Sequence, residues 1–146
     1  MRSVWLHFWL RRAVVLLAIY WAGMLVGVSF LATLAKFQAP SLTMPVALDV
    51  GRATFHLFNR VEWGCALALL VLVFLTGKRL RFRLPLVLLL IGLLVLQTFW
   101  LLPGMDARID LLLRGQPLPT EKLSLHQIYF YCELLKGILL FWLGCS

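Results

Sequence analysis

Charge is scarce in this chain, and negative charge scarcer still. Six of the 146 residues are Asp or Glu, fourteen are Lys or Arg, and charged residues make up 14% of the total, against roughly 25% in soluble domains. With 62% hydrophobic residues and a mean hydropathy of +0.94, that shortage excludes an ordinary water-soluble globule. The net charge of +8 does not point to nucleic acid, because the bases are few and lie beside apolar runs rather than along one stripe. It suits a chain whose orientation across a bilayer is set by its Lys and Arg. Cysteine is sparse too. Cys65, Cys132 and Cys145 include no CxxC or other close pair, which argues against a disulfide framework or a zinc knuckle and leaves them as buried, inert thiols. The chain also lacks a nucleophile elbow, a phosphate loop, a zinc-protease helix and a catalytic carboxylate pair. No enzyme activity, metal site or cofactor is therefore expected. No internal repeat or soluble domain is visible.

What the chain has instead is long apolar runs. A helix needs about 17–25 residues to cross about 30 Å of hydrocarbon. Ala13–Ala35, Leu84–Leu102 and Ile128–Cys145 meet that length, and Trp63–Gly77 reaches it if its helix extends backwards past Arg60. The expectation is an all-α integral membrane four-helix bundle forming one domain over 1–146. Its spans lie near 13–35, 61–77, 84–102 and 127–145, with an outer loop at 103–124. The run after Arg11-Arg12 is longer than the roughly 7–15 residues of a signal-peptide core. It reads as a retained anchor, although Thr33-Leu34-Ala35 looks like a cleavage site.

An even number of spans puts both termini on one side, with the turn Lys78-Arg79-Leu80-Arg81-Phe82-Arg83. That side carries Arg2, Arg11, Arg12, Lys78, Arg79, Arg81 and Arg83 and no acid. The other side mixes Lys36, Arg52, Arg60, Arg108, Arg114 and Lys122 with Asp49, Glu62, Asp106, Asp110 and Glu121. The positive-inside rule then makes both termini cytoplasmic, in a bacterial inner membrane. Between the first two spans, Pro45–Arg60 reads as an amphipathic helix lying in the outer interface and feeding the second span. Asp106–Arg114 reads as a second short helix that Gly115 can stop, followed by the extended Gln116-Pro117-Leu118-Pro119. Ser124 and Gln127 match a capping box at the head of the last helix, with Leu123 placed to staple onto Ile128.

The last span carries Glu133 and Lys136, three positions apart and thus on one helix face. Lys136 lies roughly 12 Å beyond Ile128, where a lone charge costs at least about 2.5–3.5 kcal/mol on insertion scales. It must face protein or water. The same stripe continues through Tyr129 to His126. Gln97 and Thr98 in the third span, Ser29 and Thr33 in the first, and Lys36 and Glu62 near span ends can converge on it. Two readings stand. One is a polar pocket or half-channel, open to the outside, that recruits an anionic or zwitterionic ligand or relays protons. The other is a mutually neutralised pair, with Gln97 and Glu62 satisfying leftover donors and fixing helix register. His126 and His56 read as satisfied interfacial histidines rather than haem or metal ligands, and the methionines as apolar packing. Gly23 and Gly27 form a G-x-x-x-G that suits close helix packing, within the chain or between copies.

The run Trp21-Ala22-Gly23-Met24-Leu25-Val26-Gly27, followed by Phe37-Gln38-Ala39-Pro40 and a long amphipathic segment, resembles the start of domain-of-unknown-function family 4149, the transmembrane protein 205-like group. Leu125-His126 is similar to the Leu-His at the head of that family's last helix. The resemblance implies a small polytopic membrane protein and brings no settled activity. His126 alone inherits a motif position, without an assigned role. Three function classes follow. The first is a small transporter, channel or ligand-binding protein using the Glu133–Lys136 stripe. The second is a structural or accessory subunit of a membrane complex, or a homo-oligomer. The third is a haem- or quinone-linked redox protein near His126. The lipid bilayer is the expected partner and nucleic acid is not.

Overall fold

The computed structural model describes residues 2–76, 82–117 and 124–145, with side chains from residue 5 onward. Four helices account for nearly all of them. α1 covers residues 2–38, as α-helix over Arg2–Leu25, π-helix over Val26–Ala32 and α-helix again over Thr33–Gln38. α2 is Met44–Leu75. α3 is Leu84–Leu113, interrupted by a π-helical stretch at Gln97–Leu101, and α4 is Leu125–Cys145. All four are long and apolar enough to cross a membrane, and the protein is an integral membrane protein of all-α architecture.

The helix ends follow from local chemistry. Ala39 is extended (φ −73°, ψ 113°) because Pro40 disfavours the helical region for the residue before it, and Leu42 N–H closes the turn onto the Ala39 carbonyl at 3.1 Å. Pro45 and Pro85 sit in the first turns of α2 and α3, where a missing N–H costs nothing. Thr76 ends α2 by turning its hydroxyl onto the Leu72 and Val73 carbonyls, both at 2.9 Å. Gly115, at φ 68°, ends α3 in a Schellman arrangement. Gln116 N–H bonds to the Leu111 carbonyl and Gly115 N–H to that of Leu112, each at 3.0 Å, and glycine takes that backbone conformation without a Cβ penalty. The capping box forms as expected: Ser124 Oγ accepts from Gln127 N–H at 3.2 Å, and Gln127 Oε1 from Ser124 N–H at 3.1 Å. The Leu123 staple, the Pro119 linker and most of the basic turn lie outside the described residues.

Helix continuity departs from expectation. Residues 45–60 do not form a separate interfacial helix, because α2 runs unbroken through Arg60 for 32 residues, about 48 Å at 1.5 Å per residue. Likewise 106–114 is the tail of α3, carried through Pro103 and Gly104. Both segments continue their spans beyond the thickness of a hydrocarbon core. The first helix, too, begins well before Ala13. Charges at Arg60 and Glu62 suggested a membrane boundary; in the fold Arg60 is exposed and Glu62 is buried against another helix, so neither ends the span.

Apolar stripes build the core. Val14, Ala18, Trp21 and Leu25 of α1 meet Phe58, Ala66, Leu69 and Val73 of α2, Val87, Leu90 and Leu94 of α3, and Leu139, Leu140 and Leu143 of α4. A second, smaller core holds Phe55, Leu101, Leu102, Tyr129 and Cys132. The polar residues of the spans lie between the two. Cys65 and Cys132 are buried, but Cys145 is exposed, a correction to the reading of all three as buried. The G-x-x-x-G does not pack helices within the chain either. An added Cβ at Gly23 or Gly27 would meet nothing within 4 Å.

Candidate functional site

Between the two apolar cores, α4 presents Tyr129, Glu133 and Lys136 along one buried stripe. Lys136 Nζ lies 2.6 Å from Glu62 Oε1 and 2.7 Å from Glu133 Oε1, with all three side chains 0–1% exposed. Gln97 Nε2 donates to Glu133 Oε1 at 2.7 Å, and Ser29 Oγ to Glu133 Oε2 at 2.7 Å. The Trp21 indole N–H donates to Glu62 Oε1 at 3.0 Å. Every helix thus contributes to one centre: Trp21 and Ser29 from α1, Glu62 from α2, Gln97 from α3, Glu133 and Lys136 from α4.

The two residues that hold Glu133 from either side both sit in π-helical stretches, Ser29 in Val26–Ala32 and Gln97 in Gln97–Leu101. A wider turn re-aims the side chains on it, and such bulges recur at functional sites. In α3 the cause is visible. Pro103 has no N–H and crowds the carbonyl four residues back, and Leu102 N–H reaches five residues back to the Gln97 carbonyl. In α1, Thr33 Oγ1 makes the same five-residue reach, to the Val28 carbonyl at 3.3 Å.

The centre is unevenly satisfied. Glu133 accepts on both oxygens, whereas Glu62 Oε2 is buried without a hydrogen-bond partner, as are Gln97 Oε1 and the Tyr129 hydroxyl. Two carboxyl groups face one ammonium, so three ionised groups would leave one negative charge in a dry interior. A buried carboxyl oxygen with no donor pointing at it is the place where a proton is held at least cost.

One layer outward, Trp63 Nε1 donates to Thr98 Oγ1 at 3.0 Å, and Thr98 shares its hydroxyl hydrogen between Asn59 Oδ1 at 3.0 Å and the Leu94 carbonyl at 2.7 Å. A cavity of about 20 Å³, lined by Ser29, Phe55, His126, Tyr129, Phe130 and Glu133, reaches the centre from this side, and it has room for a water molecule. Another, of about 50 Å³, shares His126 and Phe55 and adds Lys36 and Asp106. Toward the other end, the layer below Lys136 is closed by Leu139, Leu140, Leu69 and Leu90. Glu133 also lies at the floor of a membrane-facing groove of about 400 Å³ between α1 and α4, beside Phe30, Gly137 and Trp142.

Of the residues singled out from sequence, Glu133, Lys136, Gln97 and Glu62 converge, and Tyr129 lines the cavity beside them. His126 and Lys36 do not join the centre. His126 is exposed at the head of α4, and Lys36 Nζ lies over the rings of Phe37 and Phe55, at 5.1 and 5.3 Å from their centroids. It rests against Gly51, where a Cβ would collide with it. Sequence reasoning missed Trp21 as a donor, although its place in the stripe Val14, Ala18, Trp21, Leu25 pointed inward.

It also missed an ion network where the N-terminal part of α2 meets the tail of α3. Arg52 Nη2 lies 2.6 Å from Asp110 Oδ1 and donates to the Asp106 carbonyl at 2.8 Å, and His56 Nε2 lies 2.7 Å from Asp106 Oδ2. The available signal was spacing: Arg52 and His56, like Asp106 and Asp110, are four residues apart and share a helix face.

Residues 16–109 match the family model described as Domain of unknown function (DUF4149). The chain belongs to this family. No curated protein and no solved structure matches it significantly. Within the DUF4149 match lie Trp21, Ser29, Glu62 and Gln97; Glu133 and Lys136, on α4, fall beyond it.

Proposed function

We propose that this DUF4149 protein uses the Glu62–Lys136–Glu133 centre to bind a proton and exchange it with the side of the membrane that His126 faces, as the coupling site of a small transporter or channel. The observation that carries the reading is the uneven set of three buried ionisable groups, two acids around one base, with one carboxyl oxygen unpaired. A purely neutralising pair needs one acid. The second acid makes the centre neutral only when it holds a proton, and Glu62 is the carboxyl whose geometry has room for one. The small cavity from His126 to Glu133 supports access from that side.

The orientation belongs to the same proposal. Arg11, Arg12 and Arg83 gather at the end opposite His126, which supports a reading with that end and both termini on the cytoplasmic side of the cell inner membrane and the centre opening outward. A second reading has its own support: with small cavities around a fully buried network, the centre also suits an accessory subunit whose helices it holds in register.

Infrared titration of the protein in lipid separates the two. A protonated-carboxyl C=O band that disappears as the pH is raised, and is missing in Glu62→Gln, is the expected result. A band absent throughout the titration, or one unchanged in both Glu62→Gln and Glu133→Gln, would leave the structural reading.

A further inference from the structure

At the end opposite His126, the geometry points to a site for the phosphate of an anionic lipid headgroup, formed by Arg83 at the start of α3 with Arg11 and Arg12 of α1. Arg83 is 1% exposed, yet its Nε and Nη1 have no hydrogen-bond partner. A guanidinium has five donors in a fixed fork that matches phosphate oxygens, and burying it with donors unmet is costly. It lines a cavity of about 490 Å³ together with Phe8, Arg11, Arg12, Val15 and Leu16. Three cations therefore share one cleft. No Asp or Glu is close in sequence to set against them, since residues 1–48 and 63–105 contain neither. An anion from outside the chain would meet the open donors.

Lipid is the source the cleft favours. Its remaining walls, Phe8, Val15 and Leu16, are apolar, and Phe8 and Leu16 are exposed on the outer surface of α1 beside Trp5 and Trp9. Aromatic residues of this kind mark the headgroup level of a membrane. Arg12 already lies over the Phe8 ring, 4.2 Å from its centroid, so the guanidinium is held at that level. A headgroup phosphate would sit among the arginines while its acyl chains ran down the apolar wall. Anionic lipid near a membrane surface attracts each Lys or Arg by about 1 kcal/mol, equivalent to about a fivefold change in affinity per residue.

The test uses the full-length protein in neutral detergent, titrated with phosphatidylglycerol, phosphatidylcholine or inorganic phosphate while retained lipid and thermal midpoint are read together. Phosphatidylglycerol should be retained and raise the midpoint, whereas phosphatidylcholine should do neither. Arg83→Gln should weaken retention about fivefold or more, Arg12→Gln should weaken it to a similar degree, and Arg114→Gln at the other end should leave it unchanged. If Arg83→Gln fails to fold, Arg83→Lys keeps the charge and loses the fork, and should still reduce retention. Inorganic phosphate matching the lipid in midpoint shift would make the ligand a soluble anion and overturn the lipid source. Equal retention of both lipids, or retention unaffected by every arginine change, would overturn the site.

Discussion

The two ends of the bundle treat arginine in opposite ways. Where the N-terminal part of α2 meets the tail of α3, Arg52 is held by Asp106 and Asp110 and is still a quarter exposed, at 24%. At the other end Arg83 is 1% exposed with two nitrogens lacking hydrogen bonds, and residues 1–48 and 63–105 contain no Asp or Glu. One end pairs its charges within the protein and keeps them partly wet, although Arg52 Nε, 3.5 Å from Asp106 Oδ1, makes no hydrogen bond. The other buries a charge and leaves its partner to the surroundings. The centre between them resembles the first end in pairing and the second in burial. The comparison teaches that charge in this chain falls into three settings: helix-to-helix ion pairs at one end, unpaired arginine in a cleft at the other, and a buried network of two acids and one base between them.

Removing the cation from the centre should have the largest effect. Lys136→Met leaves Glu62 and Glu133 facing each other in a dry layer, and breaking a buried ion pair costs roughly 3–5 kcal/mol. A steep fall in thermal midpoint and folded yield in detergent is expected. Adding Glu62→Gln to the same chain should recover part of the loss, since Glu62 can then no longer ionise beside Glu133; no recovery would mean that the centre is not electrically coupled. Next comes Gln97→Leu, which deletes a donor to Glu133 and should cost about 1.5–3 kcal/mol by the same measurement. At the mixed-charge end, Arg52→Ala should cost only about 0–1 kcal/mol, and less in high salt, because that network is solvent-screened. A loss comparable to that of Lys136→Met would erase the contrast drawn here. Gly23→Ala should be nearly silent, because its Cβ meets nothing within 4 Å. A drop in stability accompanied by dissociation would assign the G-x-x-x-G to contact between copies.

Much of this was legible in the sequence where a local rule governs a residue. Ser124 and Gln127 announced a capping box, Gly115 a helix stop, and the spacing of Tyr129, Glu133 and Lys136 a buried face, and each of these is found in the fold. What was not legible depended on partners distant in sequence. Glu62 was placed near a span end yet able to converge on Lys136; its direct ion pair with that residue, 74 positions away, and its full burial depended on the assembled bundle. The π-helical turns at Ser29 and Gln97 were missed although Pro103 supplies a cause for the second. Trp21 was read only as part of a motif, since an indole N–H shows no preference for an acceptor until the helix beside it is known. Arg83 was counted among the orientation charges. Its burial becomes apparent only when the four helices are assembled and the start of α3 meets the cleft beside Arg11 and Arg12.

The central claim is that the Glu62–Lys136–Glu133 centre exchanges a proton with the side that His126 faces. Its most direct test is a pH jump applied to one face at a time of unidirectionally reconstituted protein, while the infrared band of the protonated carboxyl is followed. The account predicts a prompt response to a jump on the His126 side, a slow or absent response from the arginine side, and loss of the fast response in Glu62→Gln. A band that answers only from the arginine side, or from neither, would contradict it.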